Sequence, residues 1–449
     1  MNTRVPISFT DALQFWLKLG FISFGGPAGQ IAIMHRELVE RKRWISEKRF
    51  LHALNFCMVL PGPEAQQLAT YIGWLMHGTW GGIVAGGLFV LPSLFILIGL
   101  SWIYLSFGSV PVVSGLLYGI KPAVTAIVLF AAWRIGGRTL KSPALIALAL
   151  LAFAAIFLLN VPFPAIVLAA AVVGAIGGKW LPKQFSVGGH AQANIEDTEA
   201  IIDDDTPTPR HAKFKWSRFA TSLLISAALW LSAMMALAAH SGVDGTLAQM
   251  GWFFTKAALL TFGGAYAVLP YVYQGAVEGF QWLTPQQMID GLALGETTPG
   301  PLIMVVAFVG YIGGGTKAVL GPDAPFLGGA LAASVATFFT FLPSFLFIFL
   351  GGPLIESTHG QLKFTAPLTA ITAAVVGVIV NLGLFFTWKV WWPHATSPFP
   401  FSGGFEWFSM LLTLLATIAL LRNMAGIIPI IFACGAAGIA KTLLGYQTG

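Results

Sequence analysis

Two lysines interrupt apolar stretches at matching places. Lys18 and Lys256 each stand six residues before a Phe-Gly-Gly triplet, Phe24-Gly25-Gly26 in one case and Phe262-Gly263-Gly264 in the other. A lysine at membrane depth is costly and marks a functional site by default, so both are candidates to meet an anion. The alternative is that each pairs with a carboxylate, and Glu64 and Glu296 are the acids placed for it. These acids, as counter-ions or coupling groups, flank a second repeated break, Pro61-Gly62-Pro63 and Pro299-Gly300-Pro301. A helix that starts in mid-membrane presents unpaired N–H groups and the positive end of its dipole. Proline suits the first helical position because it has no N–H to waste, and Pro27, Pro63 and Pro301 are placed to start half-helices. The glycines let a ligand approach bare backbone. Up to four N-termini converging would suit an anion, including a dianion. Gln66, Thr297 and Thr298 at the same tips, with Gln67, either bind ligand or satisfy freed backbone groups.

The elements that must hold these groups are written twice. A shift of 238 positions superposes the Phe-Gly-Gly triplets, Lys18 on Lys256, Glu40 on Glu278, Trp44 on Trp282 and the two Pro-Gly-Pro triplets, without a gap. Farther along, in a changed register, Leu91-Pro92-Ser93 matches Leu342-Pro343-Ser344 and Ile120 matches Ile371. Several landmarks in register mark a tandem duplication. Repeats are expected at 1–182 and 246–449, joined by an acidic disordered linker at 183–215 and a connecting transmembrane helix at 216–245. The linker carries Glu196, Asp197, Glu199, Asp203, Asp204 and Asp205, a composition that favours disorder.

Charge sets the two copies against each other. The loop after the first Phe-Gly-Gly carries Arg36, Arg41, Lys42, Arg43, Lys48 and Arg49, whereas residues 274–287 contain no Lys or Arg. Basic loops stay cytoplasmic, so the first loop reads as inside and the second as outside. Apolar segments at 82–107, 112–133, 143–159 and 161–181 then require residues 50–76 to enter and leave on one side. Its arms, 50–60 and 63–78, reach roughly 16 and 24 Å at 1.5 Å per residue, short of a span of about 30 Å. They suit a re-entrant hairpin tipped by Pro61-Gly62-Pro63, and residues 9–34 suit a second one broken at Phe24-Gly25-Gly26-Pro27. A spanning helix at 9–34 competes with that reading and would make the copies parallel. Inverted repeats with interrupted helices at matching positions point to a transport site near the midplane.

Composition agrees with this solvent and excludes other classes. The chain has 449 residues, 56% hydrophobic and only 9% charged, and its mean hydropathy is +0.79. Soluble domains carry roughly 25% charged residues, so this is read as an all-α polytopic membrane protein embedded in a lipid bilayer. The net charge of +6 therefore orients the chain and does not suggest a nucleic-acid partner. Cys57 and Cys434 give no disulfide framework, and the eight histidines show no metal-ligand spacing. No Walker-type Gly-Lys-Ser/Thr occurs, and no nucleophile, base or metal cluster stands at an interface. Neither an enzyme nor a cofactor is expected. The N-terminus shows no removable signal. Trp44 and Trp282 read as interfacial anchors, His52 and Asp290 as helix-end residues, and the Gly-Gly pairs as close helix packing. Lys121, opposite Thr372 in the other copy, either lines a pathway or pairs with a neighbour.

These motifs together resemble the chromate ion transporter (CHR) family, in its long-chain, two-domain type. The resemblance rests on Ser23-Phe-Gly-Gly-Pro-Ala-Gly29 with the basic loop through Trp44, Leu60-Pro-Gly-Pro-Glu64, and Ala-Gly-Gly-Leu-Phe-Val-Leu-Pro92. In the second copy it rests on Thr261-Phe-Gly-Gly264, Glu296-Thr-Thr-Pro-Gly-Pro-Leu302 and Phe341-Leu-Pro-Ser344. It implies export of chromate across the bacterial inner membrane, conferring chromate resistance, driven by an ion gradient instead of ATP. Sulfate, a close mimic of chromate, is the alternative substrate. A homodimer is compatible with such carriers, although no residue pattern requires one. Ala265 in place of Pro27, and Met304-Val305 in place of Gln66-Gln67, predict an asymmetric site.

Overall fold

A computed structural model describes residues 7–185, 200–203, 209, 211–358, 365–395 and 400–445. Its described residues are helical, with one isolated bridge between Ile45 and Ile202. The first copy contains α1 (Phe9–Ile22), α2 (Gly26–His35), α3 (Glu47–Cys57), α4 (Glu64–Phe107), α5 (Pro111–Thr139), α6 (Pro143–Leu159) and α7 (Phe163–Trp180). A short turn, α8 (Pro182–Phe185), precedes the linker, and α9 (Trp216–Ser241) follows it. The second copy contains α10 (Thr246–Leu260), α11 (Ala265–Tyr273), α12 (Pro285–Thr297), α13 (Val305–Thr316), α14 (Pro325–Thr358), α15 (Thr365–Trp391), α16 (Trp407–Leu421) and α17 (Ile427–Leu443).

The duplication extends to local irregularities. Wide π-type turns at Arg36–Arg41 and Gln274–Gly279 occupy equivalent positions, as do the N-caps Ser46 and Thr284 that start α3 and α12. Each cap hydroxyl accepts from the backbone N–H three residues on, satisfying a donor the helix leaves open. In the first copy, His77 and Gly78 leave helical geometry and kink α4, so residues 64–76 form a short arm before the long span begins. The second copy makes the same change of direction with a break between α13 and α14. The break expected at Pro61-Gly62-Pro63 therefore falls between two short arms, α3 and residues 64–76, and the break expected at Phe24-Gly25-Gly26-Pro27 falls between α1 and α2.

Among the described residues, six helices are long and apolar enough to cross a membrane: α4, α5, α7, α9, α14 and α15. Equivalent helices of the two copies run antiparallel where they touch. Gly82 lies against the Phe349 ring and Gly86 against Phe345, so as α4 advances α14 retreats. Gly136 against Val376 and Gly383 against Leu129 give the same sense for α5 and α15. Helices related by the repeat thus point in opposite directions, the geometry of an inverted pair. Small residues permit the close crossings: Gly174 and Gly178 of α7 seat on Ala370 and Ala366 of α15, and Gly438 of α17 on Gly119 of α5.

Two expectations change. Trp44 and Trp282 are not interfacial anchors, being 8% and 2% exposed; Trp282 stacks on Phe280 with ring centroids 4.5 Å apart. The described part of the linker is also docked. Ile201 N–H donates to the Arg43 carbonyl at 3.0 Å, Ile202 N–H to Trp44 at 2.9 Å, and Ser46 N–H to the Ile202 carbonyl at 2.9 Å. The His211 ring meets the Trp74 carbonyl at 2.8 Å, beside the Gly78 kink, and Ala212 is fully buried. Glu196, Asp197, Glu199, Asp204 and Asp205 lie outside the described residues.

Candidate functional site

Each Phe-Gly-Gly triplet ends one half-helix and begins another. Gly25 and Gly26 hold φ of +88° and +67°, and Gly263 and Gly264 hold +80° and +97°, a region that L side chains rarely enter. α1 and α10 stop just before these turns, and α2 starts with Pro27 in its first turn. The hydroxyls of Ser23 and Thr261 donate back to Leu19 and Ala257 at 2.6 and 2.7 Å. Their backbone carbonyls accept from elsewhere.

Those carbonyls are met by the other copy. Gly62 N–H donates to the Thr261 carbonyl at 2.7 Å, and Gly300 N–H donates to the Ser23 carbonyl at 2.8 Å. Each Pro-Gly-Pro tip is thereby bonded to the opposite copy's break, and the two bonds are related by the repeat. Gly62 and Gly300 take φ of +128° and +106° to make this approach. A Cβ on Gly62 would meet the Gln67 amide nitrogen and the Ser344 hydroxyl at 2.6 Å, and one on Gly300 would meet Ser93 at 2.8 Å. Gly26 and Gly264 differ: a Cβ there would meet nothing within 4 Å. Packing does not demand those two glycines; their backbone faces open space.

The four N-termini therefore gather at one junction. Pro63 is the N-cap of α4, and Pro301 is the N-cap of the 3-10 turn Leu302–Met304 that leads into α13. Gln30, fully inside, donates its amide to the Gly300 carbonyl at 2.5 Å and to Ser23 at 3.4 Å. Gln67 donates to the Pro61 carbonyl at 2.8 Å, and Gln66 to the Thr70 hydroxyl at 3.0 Å. Several buried groups nearby have no protein partner: the side-chain carbonyls of Gln30, Gln66 and Gln67 and the hydroxyls of Ser93 and Ser344. Most buried polar atoms are paired, so this cluster of open donors and acceptors makes the junction the candidate site.

The remaining sequence candidates fall in three places. Phe24, Phe262, Pro61 and Pro63 stay at the junction with the glycines, as do buried Pro299 and Pro301. Thr297 and Thr298 donate to their own helix, at Leu294 and Gly295, satisfying backbone ends of α12. Glu296 accepts from the Tyr266 hydroxyl at 2.5 Å, while Glu64 is partly exposed. Lys18 and Lys256 pair with neither acid. Both lie on exposed faces, Lys256 near the Trp252 ring at 5.8 Å. Lys18 lines a cleft of about 420 Å³ with Asp11, Gln14, Glu37, Lys42 and Trp44. In that cleft the Arg41 guanidinium, bonded to Glu37 at 2.7 Å, holds the Glu37 carboxyl below its ordinary range.

Gln30, Ser93, Ser344 and Tyr266 join the site without standing out in the sequence as binding residues. The two serines had a signal in the repeated Leu-Pro-Ser. Gln30 and Tyr266 had none, because their counterparts are Val268 and Ala28.

A family model described as chromate transporter matches residues 10–175 and 248–439, one copy in each stretch. The chain belongs to the chromate transporter family. A chromate transport protein of Pseudomonas aeruginosa is 33% identical over 377 residues, covering 83% of this chain and 80% of that protein. One from Cupriavidus metallidurans is 30% identical over 383 residues, covering 85% and 83%. An uncharacterized transporter of Bacillus subtilis matches over only 121 residues, at 32% identity, covering 27% of this chain and 68% of its own length. No solved structure matches. The junction of paired tips and breaks, with its unpartnered polar atoms, is thus the candidate anion site of this family member.

Proposed function

We propose that the protein is a secondary transporter that exports chromate across the bacterial inner membrane and so confers chromate resistance, driven by an ion gradient or the membrane potential. One observation carries this reading: the reciprocal bonds Gly62 to Thr261 and Gly300 to Ser23 gather four half-helix N-termini at one place. Positive dipole ends and spare N–H groups favour an oxyanion there, and bare glycine backbone at Gly26 and Gly264 lets it approach. The names of the long relatives supply chromate as the oxyanion. Antiparallel copies suit alternating access, in which one repeat rocks against the other around the site. Lys18 and Lys256 serve as approach-path cations, and Glu64 and Glu296 as candidates for coupling.

The test is uptake of labelled chromate into inverted membrane vesicles, with sulfate as competitor and with the potential or the pH gradient collapsed. Protein-dependent uptake that collapses with one gradient is expected. Equal flux with and without the protein would overturn the reading, and sulfate uptake outrunning chromate would reassign the substrate.

A further inference from the structure

We infer that two ion pairs with buried carboxylates, Arg49–Glu356 and Lys121–Asp290, are positioning pairs for transport: each latches a re-entrant helix of one repeat to the other repeat, at opposite ends of the molecule. The inference rests on the transport reading above and adds the groups that hold its two ends shut.

The first latch joins α3 to the end of α14. Arg49 Nη2 donates to a Glu356 carboxylate oxygen at 2.5 Å, and the Tyr71 hydroxyl donates to the other oxygen. Arg49 and Glu356 are 8% and 7% exposed. The second joins α12 to α5 and α4. Lys121 Nζ lies 3.5 Å from one Asp290 oxygen, and the Tyr104 hydroxyl donates to the other at 3.0 Å; Asp290 is 3% exposed. Both latches therefore have the same parts: a buried carboxylate, a cation and a tyrosine drawn from both copies.

The repeat relates their places but not their residues. Asp290 corresponds to His52, one turn from Arg49, and Glu356 corresponds to the residue after Tyr104. In the first copy the re-entrant helix carries the cation; in the second it carries the acid. Buried pairs are poor sources of stability, since desolvation offsets most of their attraction. Their better-attested use is to specify one arrangement over another.

Their spacing fits that use. Gly352 packs on Trp74, placing Glu356 at the kinked end of α4, whereas Trp102 stacks edge-on against Phe326 at the start of α14. The latches are therefore separated by most of the length of α4, on the order of 40 Å at 1.5 Å per residue. α3 runs from Arg49 towards the Gly62 tip, and α12 from Asp290 to the Gly300 tip. Releasing one latch frees one tip to withdraw from the opposite break while the other stays sealed.

The test uses a variant lacking Cys57 and Cys434, with single reporter cysteines at the buried sites Ala53→Cys (α3) or Ala293→Cys (α12), labelled by an impermeant thiol reagent in vesicles of either orientation without chromate. Arg49→Gln should raise labelling of the α3 reporter about tenfold from one face, and Lys121→Met should raise the α12 reporter similarly from the other, within the range of typical coupling between sites. The charge-swapped pairs, Arg49→Glu with Glu356→Arg and Lys121→Asp with Asp290→Lys, should return labelling towards wild type. In chromate uptake, each single variant should lower the maximal rate more than it changes KM. Unchanged labelling, or equal labelling of both reporters from both faces, would overturn the latches. Because labelling is read without chromate, it stands even if uptake shows no flux. If a single variant fails to reach the membrane, the charge-swapped pair decides: one-sided protection supports the inference, and its loss at both reporters overturns it.

Discussion

The backbone amide of Gly62 reaches across the repeat boundary to the carbonyl of Thr261 at 2.7 Å, and its counterpart Gly300 returns the bond to Ser23. Side chains can be replaced around such a junction, but the two glycines cannot easily be. Gly62→Ala and Gly300→Ala should each cost about 1–3 kcal/mol through positive-φ strain and collision with Gln67, Ser344 or Ser93. Thermal unfolding of the purified protein would show a clear fall in Tm, together with lost uptake.

Gly26→Ala and Gly264→Ala separate strain from ligand approach. Their φ values are also positive, but no neighbour lies within 4 Å of the added methyl group. Stability should fall by about 1 kcal/mol, less than at the tips. Chromate uptake should fall at least as far as at the tips if backbone there faces the anion. Near wild-type uptake in both variants would remove these two positions from the site.

Lys18 stands on the wall of a cleft beside Asp11, Glu37 and Lys42, outside the junction. On the transport reading proposed above, its charge acts on arrival. Lys18→Ala should raise KM for chromate about three- to tenfold at low salt, with little change in maximal rate, and the difference should shrink as salt screens it. A collapsed maximal rate would instead place Lys18 at the binding step itself.

Gln30 closes the Gly300 end of the junction through a 2.5 Å bond to its carbonyl. Gln30→Leu leaves that buried carbonyl short of a partner, at a cost of about 1–3 kcal/mol. Gln30→Glu keeps the size but places an acceptor against the carbonyl and a negative charge near the anion. It should reduce chromate uptake more than Gln30→Leu at comparable stability, measured as flux per folded protein.

His211 makes linker docking sensitive to pH. Burial against Trp74 pushes its imidazole below the ordinary 6.5, with the Arg218 guanidinium adding to the effect. The undocked linker therefore binds a proton more readily than the docked one. Docking is intact above the ordinary value and weakens as pH falls through and below it. Limited proteolysis between residues 200 and 215 should be faster at pH 5.5 than at pH 7.5, and the difference should vanish in His211→Gln.

Much of this architecture is legible in the sequence because the chain states it twice. Phe-Gly-Gly and Pro-Gly-Pro, recurring at one spacing, announce the breaks, and loop charge announces their opposition. The junction partners were not legible. A bond from Gly62 to a carbonyl 199 positions away leaves no trace in residue type, since every non-proline residue has the same donor and acceptor. Lys18 and Lys256 stand out in the sequence because a span would bury them, and the short arms leave both on exposed faces. Trp44 and Trp282 looked interfacial by their place beside loops, yet the wide turns before them fold back and carry both rings inside.

The exchanged backbone bonds also change what counts as a folding unit. A copy folded alone would carry a tip with no carbonyl to meet and a break with no amide to receive, so neither half is a complete domain. Cutting the chain within the linker and expressing the halves separately should give two unstable products, and expressing them together should restore one cooperative transition.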